Sequence, residues 1–544
     1  MPLPVTLPLY NGLRIGLNDA QESEEDIIRR IAWYTAAAAA TAELEEQSKE
    51  GIISNLASHH LGIRASRCIV EPTRNWPRGS FNQCVFIGIH ARSIWGKIAE
   101  TSSSRLLLRV PSAHRLVGMV EEKMRCEVAT YIWMQENCPD VPIPRLYGFG
   151  FPDGRHFTHS SLLSWPRRWG RGLRRMFCYL FGYPVPSHYM ERSRSHEFPA
   201  GYILLEFIEK GHPLAKSWFS KSVDAVKKQN LFRGISRLML QLARIPLDRT
   251  GSFTFDPDTA VISLTNRPLT CSLAILENDG AEQVIEPNRT YESVDPYVED
   301  LLTLHDNRFL AQPNAVTTKE DCYYQMAIHS TLRIMTHHYL DRSQRNGPFY
   351  MQFTDLHQGN MMVDDDWNIT SLIDLEWICA RSAQMIDVPY WITSKSIDEI
   401  CSSHHSAEFA AAREVFMAAF REVEEELSPS RVVEEDGDED LEAGAVVPRR
   451  NAQGHPLLSE TIDNSYASRA TWFFQAVDSV NAMYRLFELQ LRPQFLSQHT
   501  PETVDVFFAA FWNQQAKKIA KRKLQERKEY SAKLKELFQA KGAK

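Results

Sequence analysis

The spacing of apolar residues changes character along the chain. Between residues 23 and 49, Ile27, Ile28, Ile31 and Tyr34 recur at helical intervals among Ala, Glu and Arg. That spacing predicts an amphipathic helix, and with it a helical N-terminal extension over residues 1–63. From residue 64 to residue 109 the runs shorten to CIVEP, CVFIGIH and RLLLRV, with the turn RGSFN between the first two. Short β-branched and aliphatic runs bounded by turn residues predict strands. VEEKMRCEVATYIWMQEN then predicts a helix, with Met124, Val128, Tyr131 and Ile132 on one stripe. VPIPRLYGFG is punctuated by Pro and Gly, and GYILLEFIEKG predicts one more buried strand running into a loop.

Beyond this point the period is helical almost throughout, in LFRGISRLMLQLARI, CYYQMAIHSTLRIMTHHYL, AEFAAAREVFMAAFREVEEEL and RATWFFQAVDSVNAMYRLFELQL. Strands first and helices afterwards predict an α+β chain in two lobes, not alternating βαβ units. The boundaries fall at residues 64–205 for a small β-rich lobe and 206–544 for a larger helical one. Two stretches interrupt the pattern. EEDGDEDLE at residues 434–442 predicts a disordered acidic loop over about residues 430–455. A basic, aromatic insertion occupies about residues 156–198, and no internal repeat is present.

Composition narrows the function. A net charge of −7 argues against bulk nucleic-acid binding. Nine cysteines without a C-x-x-C pair indicate neither a disulfide framework nor a zinc site, so a reducing, cytoplasmic setting is expected. The opening residues lack a basic region followed by a sustained apolar stretch, so no signal peptide is expected. The apolar runs near residues 36–40 and 177–185 fall well short of the ~20 residues that span a bilayer.

Candidate chemistry is concentrated in QFTDLHQGN at residues 352–360 and SLIDLEW at residues 371–377. Acids set between apolar runs are costly near a core, so a fold that places them there needs them. Phosphoryl transfer needs a carboxylate to orient an acceptor hydroxyl, hard oxygen ligands for magnesium, and cations on the phosphates. Asp355, Asn360 and Asp374 supply the acid and the oxygens in that order. The runs MMVDDD and NITSLID predict a hairpin that returns Asp374 to Asn360. Asp364, Asp365 and Asp366 read as its solvent-facing turn. His357 and the pair His404-His405 read as structural. Asp387 reads equally as a brace for the loop or as a helix cap.

FTDLHQGNMMVDDDWNITSLIDLEW resembles the catalytic segment of the aminoglycoside phosphotransferase family, a branch of the protein-kinase-like fold, and most of all its large fungal-type members. GSFN at residues 79–82, LLLRVP, EEKMRCEVATYIWM and YILLEFIEKG resemble that family's upstream elements in order, and the resemblance spans residues 64–393. It implies a bilobed protein-kinase-like fold and an ATP- and Mg2+-dependent transfer to a small-molecule hydroxyl. Residue by residue, it implies Asp355 as catalytic base and Asn360 and Asp374 as magnesium ligands. Arg109 would contact the phosphates and pair with Glu127. The backbone of Gly79, Ser80, Phe81 and Asn82 would touch phosphate, and Leu205, Glu206, Phe207 and Ile208 would line the adenine pocket. The chain departs from the family in having Phe353-Thr354 where His-Gly is usual, and Arg109 where lysine is usual. The alternative is a catalytically weak, kinase-like binding module. Neither His-Arg-Asp nor Asp-Phe-Gly is present, which disfavours a protein kinase.

In WPRRWGRGLRRMFCYL, Trp165, Trp169, Leu173, Phe177 and Leu180 fall near one helical face and five arginines occupy the others. The expected arrangement packs the aromatics inward with arginines reaching outward. Peripheral contact with an anionic membrane is the alternative. The basic C-terminal helix, with Tyr530, Leu534, Leu537 and Phe538 on one stripe, is expected to be solvated.

Overall fold

A computed structural model describes residues 5–9, 12–77, 79–90, 105–192, 198–221, 224–427, 454–495 and 502–542. The chain is mixed α and β, 54% helical and 16% strand, with its strands in several small sheets and one larger one. The acidic segment at residues 434–442 lies outside the described residues. No described helix is long and apolar enough to cross a membrane.

The largest sheet has seven strands, all antiparallel, in the order Cys68–Val70, Asn82–Ile89, Arg105–Pro111, Tyr202–Glu206, Leu146–Gly150, His156–His159 and Tyr189–Arg192. The two-residue period of a strand sorts its side chains onto two apolar layers. Tyr202 and Leu204 face one way, with Leu106, Leu108, Val110 and the helix Ile52–Leu61. Ile203 and Leu205 face the other, with the helix Val120–Asn137. Leu107 packs on this second side, and Arg109, two residues on, shares its parity. A guanidinium is thereby aimed at a buried helix.

Two small sheets set the next segment. Phe349–Phe353 pairs antiparallel with Ile378–Ser382. Met361–Val363 pairs with Ile369–Leu372 and with His212–Pro213. The stretches at residues 354–360 and 373–377 therefore cross between the same two sheets and must lie side by side. Ile373 N–H donates to Asn360 O (3.0 Å) and Thr354 N–H to Trp377 O (3.0 Å). The hairpin turn is as expected: half-buried Asp364 accepts from the Asp366 and Asn368 amides through Oδ1, and Asp365 and Asp366 are exposed.

Helices make up most of the remaining described residues, among them Ala225–Leu242, Val294–Ala311, Lys319–Tyr339 and Ser403–Leu427, beside two two-stranded sheets, Thr6–Pro8 with Arg14–Gly16 and Ser252–Phe255 with Ile262–Asn266. Two expectations change. The C-terminal helix Ala516–Gly542 is docked, not solvated: Tyr530, Leu534 and Phe538 bury against Leu7, Ala20, Ile27 and Ile31 of the N-terminal segment. Its period is that of an amphipathic helix, and the partner stripe lies some 500 residues away in sequence. In the insertion, the helix Trp165–Leu180 turns its aromatics outward instead of inward. The reason is hydrogen-bonding. Arg171 and Arg175 reach the carbonyls of Ser187, Tyr189 and Pro186, which claims the body-facing side for the basic residues.

Candidate active site

Six side chains converge where the second layer of the large sheet meets residues 373–377. Arg109 Nη1 lies 3.1 Å from Glu127 Oε1. Its Nη2 donates to Asp374 Oδ1 at 3.0 Å and lies 3.3 Å from Glu376 Oε2. Lys123 Nζ bridges Glu127 Oε2 (2.7 Å), Glu376 Oε2 (2.5 Å) and Asn82 Oδ1 (2.9 Å), and Asn82 Nδ2 donates to Glu376 Oε2 at 2.6 Å. Lys123 and Glu127 are one helical turn apart and fully buried. Charges this deep persist only when paired and hydrogen-bonded. Lys123 and Glu376 are absent from the sequence expectations. The signals were present, a Lys–Glu pair at helical spacing and a second acid two residues after Asp374.

Burial alone would discharge Lys123, but Glu127 and Glu376 overcome it and hold its ammonium above the ordinary range. Burial likewise pushes Glu376 up, and Lys123 and Arg109 more than offset that, leaving it below the usual carboxylate range. Asp374 differs. Burial outweighs Arg109, and Glu376 and Glu127 add like charge, so its carboxyl rises to about 6.

Oxygens of Glu127, Asp374 and Glu376 lie within 4.8 Å of one another, a spacing suited to a metal ion. The space between them already holds two cations, the Arg109 guanidinium and the Lys123 ammonium, so we read the trio as an ion-pair hub. The open oxygens lie on its rim. Asp374 Oδ1 takes Arg109 and the Glu376 amide (3.3 Å), while Oδ2 accepts nothing from the described residues. Asn360 Nδ2 donates to the Asp355 carbonyl at 2.8 Å, which leaves Asn360 Oδ1 as the free face of that amide.

Asp355 sits in the loop between the small sheets. Burial, then the Asp374 and Glu376 carboxylates, drive its pKa up to about 8, against a bond from the Cys271 thiol. Thr354 braces this loop from one side. Its hydroxyl donates to Trp377 O (2.9 Å) and accepts from Cys271 N–H (3.3 Å). Trp391 Nε1 anchors the other side through Leu356 O (2.6 Å), and His357 Nδ1 accepts the Gly359 amide (3.0 Å). The loop is therefore braced on both sides of Asp355. Residues on both sides of Asp355, Thr354 and Leu356, line a cavity of about 150 Å³ shared with Arg381, Asp387, Tyr390 and Asp478. Asp387 is not a helix cap, and its bonds, which include one accepted from Gln475 Nε2 (3.4 Å), do not reach the loop at residues 354–360. It accepts its own neighbour's amide, Val388 N–H (2.7 Å), and burial raises it to about 6.

The remaining expected residues are placed as follows. The Gly79 amide donates to Asn82 O (3.1 Å), and the Phe81 ring packs edge-on against Trp377 (4.9 Å), so this turn is docked onto the acid-bearing segment. Asn82 contributes its side chain to the hub. Leu205 is a core residue, and the amides of Glu206 and Phe207 donate to Arg145 O and Arg105 O. The Arg105 guanidinium lies between the Phe207 and Phe86 rings (4.4 and 4.6 Å). Arg109 pairs with Ile203 and Leu106 with Glu206, which puts residues 205–208 about 10 Å along the strand from the hub. No family model matches the chain, and no curated protein matches it.

Proposed function

We propose that the protein is a phosphotransferase of protein-kinase-like architecture, moving the γ-phosphoryl group of ATP to a hydroxyl of a small molecule. The observation that carries this reading is the imbalance of charge at the site. Glu127, Asp374 and Glu376 share Arg109 and Lys123 as their cations among the described residues, and both rim acids, Asp355 and Asp374, are pushed up in pKa by burial first and by neighbouring carboxylates second. A rim of that kind favours a hard divalent cation, and Asp374 Oδ2 with Asn360 Oδ1 is a magnesium-like donor pair. Magnesium bound there would neutralise charge on the phosphates and orient them.

The chain's own residues do the rest. Arg109, held by Glu127, is the cation facing the α/β-phosphates, and Glu127 and Lys123 fix its position. The acceptor hydroxyl lies against Asp355, in the cavity that Thr354 and Leu356 line. Its oxygen attacks the γ-phosphorus, the bond to the β,γ-bridging oxygen breaks, ADP leaves with the electron pair, and the proton passes to Asp355. A base with a pKa near the working pH suits that transfer. One feature favours a non-catalytic module instead: the Glu206 and Phe207 amides, which would meet adenine, are spent within the chain.

Release of ADP from Mg-ATP over a panel of hydroxyl acceptors decides between them. Wild type should turn over, and Asp355→Asn should lower turnover by roughly 10²–10⁴ with little change in nucleotide affinity. Equal ADP release by both would leave the binding module as the reading.

A further inference from the structure

The helix Trp165–Leu180 is attached to the protein by its basic side. Arg171 Nε donates to Ser187 O (2.7 Å) and Nη2 to Tyr189 O (2.8 Å), and Arg171 is the helix's buried residue. Arg175 donates to Pro186 O and to Glu136 Oε1 (2.9 Å). At 3.6 residues per turn the opposite side carries Trp165, Trp169, Leu173, Met176, Phe177 and Leu180. All six are more than half exposed, from 53% at Phe177 to 68% at Leu180. Phe181 and Tyr183 extend the patch. Scattered apolar residues on a surface need no explanation, but a contiguous stripe of this kind marks an interaction site.

We propose that this helix docks on an anionic lipid surface, with its aromatic stripe at the boundary of headgroups and acyl chains. Charge selects that occupant. Exposed Arg167, Arg168 and Arg174 flank the stripe, and no acidic residue occurs between Asp153 and Glu191. Tryptophans at one end and Tyr179 and Tyr183 at the other are the residue types that settle at a membrane–water interface. A basic polar side with a Trp, Phe and Leu side is the pattern of a helix lying in that plane. A second copy fits worse, because a two-fold pairing of the stripes would bring arginine flank against arginine flank.

Sedimentation of the full chain with phosphatidylcholine vesicles, with and without phosphatidylserine, tests the proposal. Binding should require phosphatidylserine and weaken with salt. Each of Arg167→Gln, Arg168→Gln and Arg174→Gln should reduce partitioning about fivefold. The double variant Leu173→Asp, Phe177→Asp should abolish it without moving the melting temperature, since both side chains already face water. Brominated lipids should quench fluorescence in wild type, and Trp165→Phe with Trp169→Phe should remove that quenching. Absence of sedimentation with phosphatidylserine vesicles overturns the proposal. So does a wild-type dimer in ultracentrifugation that the double Asp variant converts to monomer.

Discussion

Replacing Asp355 by asparagine should stabilise the folded protein while lowering the proposed phosphoryl transfer, and the gain should depend on pH. The Asp355 carboxyl rises from an ordinary 3.8 to about 8, through burial first and the Asp374 and Glu376 carboxylates second. Between those values the native state keeps a proton that the unfolded chain has lost. Stability must then fall as pH rises through that window. Asparagine keeps the volume and cannot ionise. Its advantage is therefore near zero around pH 4 and grows by at most about 1.4 kcal/mol per pH unit. Four units would give about 5–6 kcal/mol in rigid, dry surroundings. The side chain is only half-buried, and effective dielectrics nearer ~20 reduce the effect to about 2–3 kcal/mol at pH 8. With an unfolding entropy of about 2 cal/mol/K per residue, that is a rise of roughly 2–3 °C in a chain of this length. Urea unfolding of both proteins at several pH values, with EDTA present, measures it. A variant less stable than wild type at pH 8, or equally favoured at pH 5 and pH 8, would refute the account of Asp355 as an acid held under strain by its neighbours.

Two further outcomes follow from the same cluster. Mg-ATP at 100 times its dissociation constant should stabilise wild type by about 2.7 kcal/mol, and Asp374→Ala should lose the magnesium-dependent part of that shift; an unchanged shift would assign Asp374 to structure. Glu376→Gln removes the charge that Lys123 and Arg109 share at 2.5 and 3.3 Å, and should cost about 3–5 kcal/mol at neutral pH. Because Glu376 is held below its usual range, its contribution is present above that range and fades as pH falls through the folded value, so wild type and variant should converge in acid; a difference under about 1 kcal/mol at pH 7 would dissolve the hub.

Periodicity carried the sequence reading as far as the main element order and the hairpin that returns Asp374 to Asn360, while the inward turn of Arg109 is seen only once the two layers of the sheet are known. It failed where meaning depends on which side of an element is covered. Lys123 in EEKMR looks like a solvated lysine, and only the sheet closing over it makes it a buried cation needing Glu127 and Glu376. The insertion shows the same gap more sharply. The apolar stripe through Trp165, Trp169 and Leu173 is plain in the sequence, but a stripe has no direction until something decides which side meets the body. The usual rule gives the inner face to the apolar side. Here the deciding groups are backbone carbonyls at Pro186, Ser187 and Tyr189, in a short return path where, among the described residues, Arg171 and Arg175 are the side chains that satisfy them. An unmade hydrogen bond to a buried carbonyl costs about 1–3 kcal/mol. Two arginines satisfying three carbonyls can therefore outweigh part of the gain from burying the stripe, and a lipid surface would supply the remainder. The outward stripe is then a consequence of where the chain's own acceptors lie, and membrane attachment would need no rearrangement of the helix to occur.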